Sequence, residues 1–298
     1  MKFSLPARMP FNFHSVIHSH GWYQLAPFHF DEETNTLHYV LQLANGRVIE
    51  LKMRDVMDGV NVETEKLEKP ERTELTDKVK WMFDLDSDFS RFYAASRAEP
   101  KLVQVEEHAR GRVLRSPTVF EDVVKTILTT NTLWDATRNM TRKLVNEFGS
   151  ALSGAVDADE ARNQKAFPTP TSIAAGSPEA LKEKVRVGYR APAIHQLAVR
   201  VASGELDLES LKISTLPTLE LRKELLKING VGPYAAANLL MILGRHDFIP
   251  IDSYALKMVS HEWYKGKPIT AKEVEKRFKK WGEFKGLAYW FWDWTHNG

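Results

Sequence analysis

Cysteine is the most informative absence. None of the 298 residues is one, which removes disulfides, thiolate zinc sites, cysteine nucleophiles and iron–sulfur clusters together. A chain without cysteine suits a reducing compartment, and a cytoplasmic location is expected. Long apolar runs are missing too. No stretch of about 18 apolar residues is present, so no membrane span or membrane partner is expected. The opening MKFSLPARMPFNFHS lacks the sustained apolar core of a secretory signal. Charge of one sign is also scarce: 41 Lys and Arg face 39 Asp and Glu, a net charge of +2. Internal repeats and low-complexity tracts are lacking as well, which sets aside solenoids and disordered arrays.

What is present is ordinary for a globular chain with a core, 43% hydrophobic and 27% charged residues. The length favours two domains. The first hundred residues carry the period of strands. In FHFDEETNTLHYVLQLANGRVIELKM, Leu37, Tyr39, Leu41 and Leu43 alternate with His38, Val40 and Gln42. DEETN and ANG read as turns, and Asn45-Gly46 is a strong hairpin signal. HSHGWYQLAPF, just before, reads as a further strand. From about Glu71 the period becomes helical. Helices are expected at 76–83, 89–98, 119–130, 133–148, 173–175 with a turn at 177–184, 191–203, 218–227, 233–243, 253–262, 271–281 and from about 285. GSALSGAVDADEARNQKAFPTPTSIAAGSP is the one long irregular segment. The expected fold class is α+β: an N-terminal antiparallel sheet domain with trailing helices over 1–105, then an all-helical domain over 106–298.

Charge is spread unevenly within the second domain. From Lys257 to Lys285 the chain carries nine Lys/Arg against four Asp/Glu. That excess makes either one basic face or the solvated side of helices.

The chemistry is concentrated in INGVGPYAAANLL, residues 228–240. An apolar helix, PTLELRKELLKI, precedes it, and Pro233 stands where a helix start tolerates a missing N–H. Gly230 and Gly232 permit positive φ and allow another backbone to approach. Outward N–H groups at such a turn form an anion site, and phosphate is the usual anion. The main-chain carbonyls of Leu226, Ile228 and Val231 are candidates for holding a structural Na+ or K+. Twenty residues beyond Gly232 lies Asp252, in FIPIDSYA. It also reads as the N-cap of a helix beginning at Ser253, a role compatible with a reactive one.

The order of these parts resembles the helix-hairpin-helix (HhH-GPD) superfamily of base-excision DNA glycosylases. That family follows the hairpin with a Gly/Pro-rich loop and a catalytic aspartate, and Pro250 and Asp252 fall in those places. The resemblance covers most of the chain. VLRSPTVFEDVVKTILTTNTLWDATRNMTRKLVNEFG is similar to its first core helices. FNFHSVIHSHGWYQLAPF is similar to the sheet domain of its 3-methyladenine and 8-oxoguanine glycosylase branch. The resemblance implies that Asp252 is the catalytic carboxylate and that Gly230, Val231 and Gly232 grip DNA.

Three places then discriminate. Bifunctional 8-oxoguanine glycosylases carry a lysine two residues after the second hairpin glycine, where its amine attacks the sugar. This chain has Tyr234 there, which implies a monofunctional enzyme that uses water. An aromatic ring there also suits stacking on a cationic alkylated base. Asn131, in TTNT, matches a family asparagine near the gap left by the extruded nucleotide, and Tyr189 and Arg190, in GYRA, match residues that meet the opposite strand. Where 8-oxoguanine enzymes read the guanine edge from the closing helix, this chain has Tyr289 and Asp293 as base-pocket residues.

The expected function is monofunctional release of a damaged, alkylated base from double-stranded DNA. The expected state is a monomer, associated with the nucleoid if the source is bacterial, that requires no cofactor. The alternatives are an 8-oxoguanine-type glycosylase without its lyase lysine, or a non-catalytic structure-specific DNA-binding protein.

Overall fold

The computed structural model describes residues 1–153 and 164–293. The irregular excursion expected near residue 150 therefore lies in part outside the described residues. The chain forms two compact units: one of Met1–Ser87 with Arg112–Ile213, the other of Asp88–Gly111 with Ser214–Gly298. These are divisions by compactness and differ from the boundary near residue 105 expected from sequence, which closes a sheet with its trailing helices.

The first unit holds the sheet. Strands β1 (Lys2–Pro6), β2 (Phe28–Asp31), β3 (Thr36–Gln42), β4 (Val48–Val56) and β5 (Gly59–Glu63) are all antiparallel, in the order β1-β5-β4-β3-β2. The Asn45-Gly46 turn closes the β3–β4 hairpin, with Gly46 at φ +89° and its N–H donating to the Leu43 carbonyl. Val40 departs from the simple alternation of β3. It is buried together with Val48 and Ala166, with Leu152 packed on the cluster. The chain on either side of residues 154–163 thus covers this face, paired Ala151 to Lys165.

One strand expectation is corrected. HSHGWYQLAPF is not extended. It begins where helix α1 (Phe13–Ile17) ends and contains a 3-10 turn over Gly21–Gln24. Phe13, Val16 and Ile17 are buried at helical spacing, and the Asn12 side chain caps the helix by accepting from the Ser15 N–H at 2.8 Å. The period was present in FNFHSVI but too short to dominate its aromatic, strand-favouring composition. In the same way helix α2 (Lys69–Phe83) starts earlier than the apolar period suggests. A capping box between Glu68 and Glu71 and a proline in the first turn set its start.

Helices α3 (Ser90–Ser96) and α4 (Gln104–Glu107) belong to the second unit. Helices α5 (Val119–Thr129), α6 (Trp134–Phe148), α7 (Pro170–Ala174), α8 (Pro178–Ala180) and α9 (Ala191–Ala202) complete the first. The second unit continues with α10 (Thr218–Leu226), α11 (Pro233–Ile242), α12 (Ser253–Tyr264), α13 (Ala271–Phe278) and α14 (Lys285–Trp290). Helix α13 ends before the expected 281, where a 3-10 stretch intervenes and Gly282 takes φ +53°.

Helix α5 is buried along Val119–Leu128, charged residues included. Lys125 pairs with Glu121 at 2.6 Å with both side chains out of solvent, and Tyr39 from β3 donates to Glu121 at 2.6 Å. The Lys125 ammonium also lies over the Phe28 ring at 4.6 Å. A buried charge is tolerated only when paired and hydrogen-bonded, and this network satisfies that condition between sheet and helix.

Candidate active site and nucleic-acid interface

In the second unit α10 and α11 form an antiparallel pair joined by a tight hairpin. Leu221 and Leu225 face inward from α10, and Ile228 and Val231 plug the turn, 4% and 5% exposed. The turn is closed by Val231 N–H donating to the Ile228 carbonyl at 3.0 Å. The two glycines differ in role. Gly230 takes φ +86°, where a Cβ is strained. Gly232 does not need that freedom: it is the extended N-cap of α11 (φ −91°, ψ −175°). A Cβ built on Gly232 would meet nothing within 4 Å, so what the glycine preserves is open space beside the first N–H groups of a ten-residue helix. That combination suits a phosphate. Ala235, Ala236 and Ala237 are buried behind it.

From α11 the chain turns at Gly244 and runs through buried Ile249 and Pro250 to Asp252. Asp252 is the N-cap of α12, its Oδ1 accepting from the Ala255 N–H at 2.8 Å. The cap fixes the carboxylate at the positive end of the helix. Tyr289, from α14, is 7% exposed and packs edge-on against Phe278, ring centroids 5.7 Å apart. Its phenol is pushed well above the ordinary range, first by burial, then by the negative charge of Asp252 and by Tyr234 and Tyr254. Asp252, Tyr234 and Tyr254 thus each lie within electrostatic reach of Tyr289. Tyr254, 47% exposed, was missed; an aromatic in the first turn after the aspartate was its signal. The backbone of Asp293 is held by Lys101: its N–H donates to the Lys101 carbonyl and its carbonyl accepts from the Lys101 ammonium, both at 3.2 Å.

Gly286, also missed, positions the loop that carries Asp252. Its N–H donates to the His246 carbonyl at 2.7 Å, and a Cβ there would lie 2.5 Å from the Phe248 carbonyl oxygen. Neither backbone oxygen can yield as a flexible side chain would. Gly286→Ala is expected to cost about 1–3 kcal/mol by overpacking, lowering the melting temperature by several degrees. An unshifted melting curve would show that the loop moves freely.

The first unit carries the other expected residues. Asn131 follows α5 in a left-handed turn, φ +47°. Its Nδ2 donates to the Tyr189 hydroxyl at 3.4 Å. Tyr189 is 66% exposed and Leu133 81% exposed. Leu133 was not singled out by sequence, since an apolar residue beside a helix start reads as core. Arg190 is not at the surface. It is 6% exposed, and its guanidinium donates to the carbonyls of Ile127, Val187 and Thr130. The direct DNA contact expected of it conflicts with that burial, since its donors are directed into the protein.

Among the described residues, no group of three or more His, Asp or Glu is placed to hold a metal ion. The carbonyls of Leu226, Ile228 and Val231 belong to the hairpin turn itself. A set of neutral main-chain oxygens fits a monovalent ion better than a divalent one, which prefers carboxylates.

The fold and this group define a helix-hairpin-helix protein with an aspartate held at a helix start a short loop beyond the hairpin. The sequence model of the HhH-GPD superfamily base excision DNA repair protein matches residues 124–284, over half of the chain, and the chain belongs to that superfamily. It is accordingly a DNA glycosylase of the base excision kind. A DNA-3-methyladenine glycosylase of Bacillus subtilis is 26% identical over 230 residues, 75% of this chain and 74% of that protein. Among solved structures, MBOgg1 in complex with a low-affinity DNA ligand superposes with a TM-score of 0.76 at 24% identity, covering 98% of this chain and 94% of that one. The 8-oxoguanine glycosylase/lyase of Clostridium acetobutylicum superposes at 0.73 with 20% identity, covering 99% of both chains. The α+β class expected from sequence, an N-terminal antiparallel sheet followed by a helical core, is the observed one.

Proposed function

We propose that this protein is a monofunctional glycosylase that extrudes an alkylated base from duplex DNA and hydrolyses its N-glycosidic bond with water. The observation that carries the reading is Tyr234, standing two residues after Gly232 and, like Asp252, within electrostatic reach of Tyr289. Tyrosine has no amine to form a Schiff base with the sugar, so no lyase step follows. The curated 3-methyladenine glycosylase relative supports the same substrate class; the likeness to the 8-oxoguanine enzyme is one of fold.

In this mechanism a phosphate sits on the N–H of Gly232 and the start of α11, since the Val231 N–H is already spent on the Ile228 carbonyl that closes the turn. The hairpin thereby sets the DNA backbone relative to Asp252. The extruded base enters beside Tyr234 and Tyr289, where electron-rich rings favour a positively charged base. The Asp293 carboxylate faces the same base, adding negative charge that suits a cationic one. As the base departs, the sugar acquires oxocarbenium character, and the fixed negative charge of Asp252 stabilises it. The same carboxylate aligns or deprotonates the attacking water. A base already positively charged leaves without an acid catalyst, so one carboxylate suffices where ordinary glycosidases use two. Asn131 and Leu133 enter the stack where the nucleotide has left, a step the chemistry requires because the bond is hidden in the duplex. A Na+ or K+ on the carbonyls of Leu226, Ile228 and Val231 would stiffen the hairpin. The enzyme is proposed to act as a cytoplasmic monomer.

The test is release of free base from methylated duplex DNA. Release of methylpurines without strand nicking supports the reading. Release confined to 8-oxoguanine supports the second reading, an 8-oxoguanine-type enzyme lacking its lysine, which the Asn131–Tyr189 arrangement favours. Duplex binding with no release of any base would leave a structure-specific binding protein.

A further inference from the structure

The segment 130–134 of the first unit is held from two sides. On one side stands Arg190. Its Nε donates to the Ile127 carbonyl at 3.2 Å and its Nη1 to the Val187 carbonyl at 3.4 Å. Its Nη2 donates to the Thr130 carbonyl. Ile127 and Thr130 lie in the last turn of α5 and just beyond it, where a helix leaves carbonyls without intrahelical partners. The guanidinium also stacks on the Tyr189 ring, 4.6 Å from its centroid, and Tyr189 in turn accepts from Asn131 at 3.4 Å.

On the other side stands Trp134, the first residue of α6. Its ring is seated on the backbone of Gly21, so closely that a Cβ there would fall 2.2 Å from the ring carbon Cζ2. Its indole N–H donates to Gln24 Oε1 at 2.6 Å. Between the two anchors the chain makes the left-handed turn at Asn131, φ +47°, and projects Leu133 outward, 81% exposed. A non-glycine residue in that conformation persists when its surroundings hold it there.

We infer that Arg190 is a positioning residue: with the Gly21 seat for Trp134 it holds the 130–133 loop ready-formed for entry into the duplex, and it does not itself touch DNA. The inference rests on the glycosylase reading above. A loop that must order itself on entry weakens every step that depends on its insertion, and a pre-formed one does not. A guanidinium that is 6% exposed and directed at three carbonyls inside the protein is not presented to a phosphate. Lysine would keep the charge but could not replace the planar fork that reaches all three. Gly21, from the N-terminal layer, acts on the same loop without carrying any charge, which gives that layer a part in base extrusion.

The test compares wild type with Arg190→Lys, Arg190→Ala and Gly21→Ala. Extrusion is read as the fluorescence rise of a single mispaired 2-aminopurine in duplex DNA. Binding to undamaged duplex is read as a function of salt, and release of damaged base is measured in single turnover. The inference expects all three variants to lose about tenfold or more in extrusion and release. It expects the slope of log affinity against log salt, and the ranking of opposite bases, to remain those of wild type. Full rescue by Arg190→Lys would overturn it. So would a salt slope reduced by about one in Arg190→Ala, the signature of a lost phosphate contact, or a flattened opposite-base ranking. Should Arg190→Ala fail to fold, Arg190→Lys and Gly21→Ala decide. If wild type extrudes 2-aminopurine but releases no damaged base, the glycosylase reading falls, while extrusion and salt slope still judge Arg190.

Discussion

Asp252→Asn is expected to lower base release by roughly 10²–10³-fold, the scale of removing one preorganised electrostatic group from a reacting centre, while duplex affinity stays within about twofold of wild type. The substitution is chosen because the structure separates two roles of this side chain. As N-cap, Asp252 accepts from the Ala255 N–H at 2.8 Å, and asparagine caps a helix equally well. Only the negative charge is lost. Asp252→Ala removes the cap as well and should cost about 1 kcal/mol of stability, so it is the less clean variant. Single-turnover release, with duplex affinity measured in parallel, separates chemistry from binding. Unchanged release by Asp252→Asn would remove this carboxylate from the mechanism.

The second large effect concerns stability, and it is hidden in the wild type. Asp122, buried, and His20, half-buried, lie in the first unit and titrate in opposite senses. Asp122 Oδ1 accepts from Trp22 Nε1 at 2.8 Å and from the Ser116 N–H at 3.0 Å. Its Oδ2 is buried without a partner, the place for a proton. Burial raises this carboxyl from 3.8 to about 7. His20 packs edge-on against Trp22, 4.6 Å between ring centroids, and its Nε2 meets the Leu114 carbonyl at 2.7 Å. Burial lowers it from 6.5 to about 4.

The signs follow from which state binds more protons. Between pH 4 and 7 the folded state holds a proton on Asp122 that the unfolded chain releases, so this group stabilises as pH falls. In the same window the unfolded chain protonates His20 and the folded state does not, so His20 destabilises as pH falls. From pH 7 to 5 each contributes about 2 kcal/mol, with opposite sign. The wild type is therefore expected to be nearly flat over this range. Asp122→Asn should lose about 2 kcal/mol from pH 7 to 5 relative to wild type, and His20→Gln should gain about as much. Denaturant midpoints at pH 5, 6 and 7 check both. Parallel curves for wild type and Asp122→Asn would show that the carboxyl is already ionised in the folded state.

How much was legible in the sequence depended on what each feature needed. The hairpin was readable because its geometry demands particular residues: Gly230 for positive φ, Pro233 for a helix start, alanines for a close pair. Asp252 was readable for a similar reason, since a carboxylate before Ser253 has a local partner in Ala255. The identity of residue 234 required only counting. Partners distant in sequence were not readable. Arg190 reads as a surface cation, and only the fold reveals that the carbonyls of Ile127 and Thr130, some sixty residues away, occupy its donors. Glu121, Asp122 and Lys125 look like the solvated side of α5. Their burial depends on Trp22 and Tyr39, which long-range packing supplies. Gly286 carries no local signal at all; the Phe248 carbonyl that forbids a side chain there lies in another segment.

The central claim, a water-using glycosylase for alkylated bases, is tested most directly by one assay. Purified protein is incubated with methylated duplex DNA, and in parallel with a duplex carrying 8-oxoguanine. Borohydride is present in half of the samples, and free bases, strand nicks and trapped adducts are all measured. The account predicts release of 3-methyladenine or 7-methylguanine with intact strands and no protein–DNA adduct. Release of 8-oxoguanine alone, or an adduct trapped by borohydride, would contradict it.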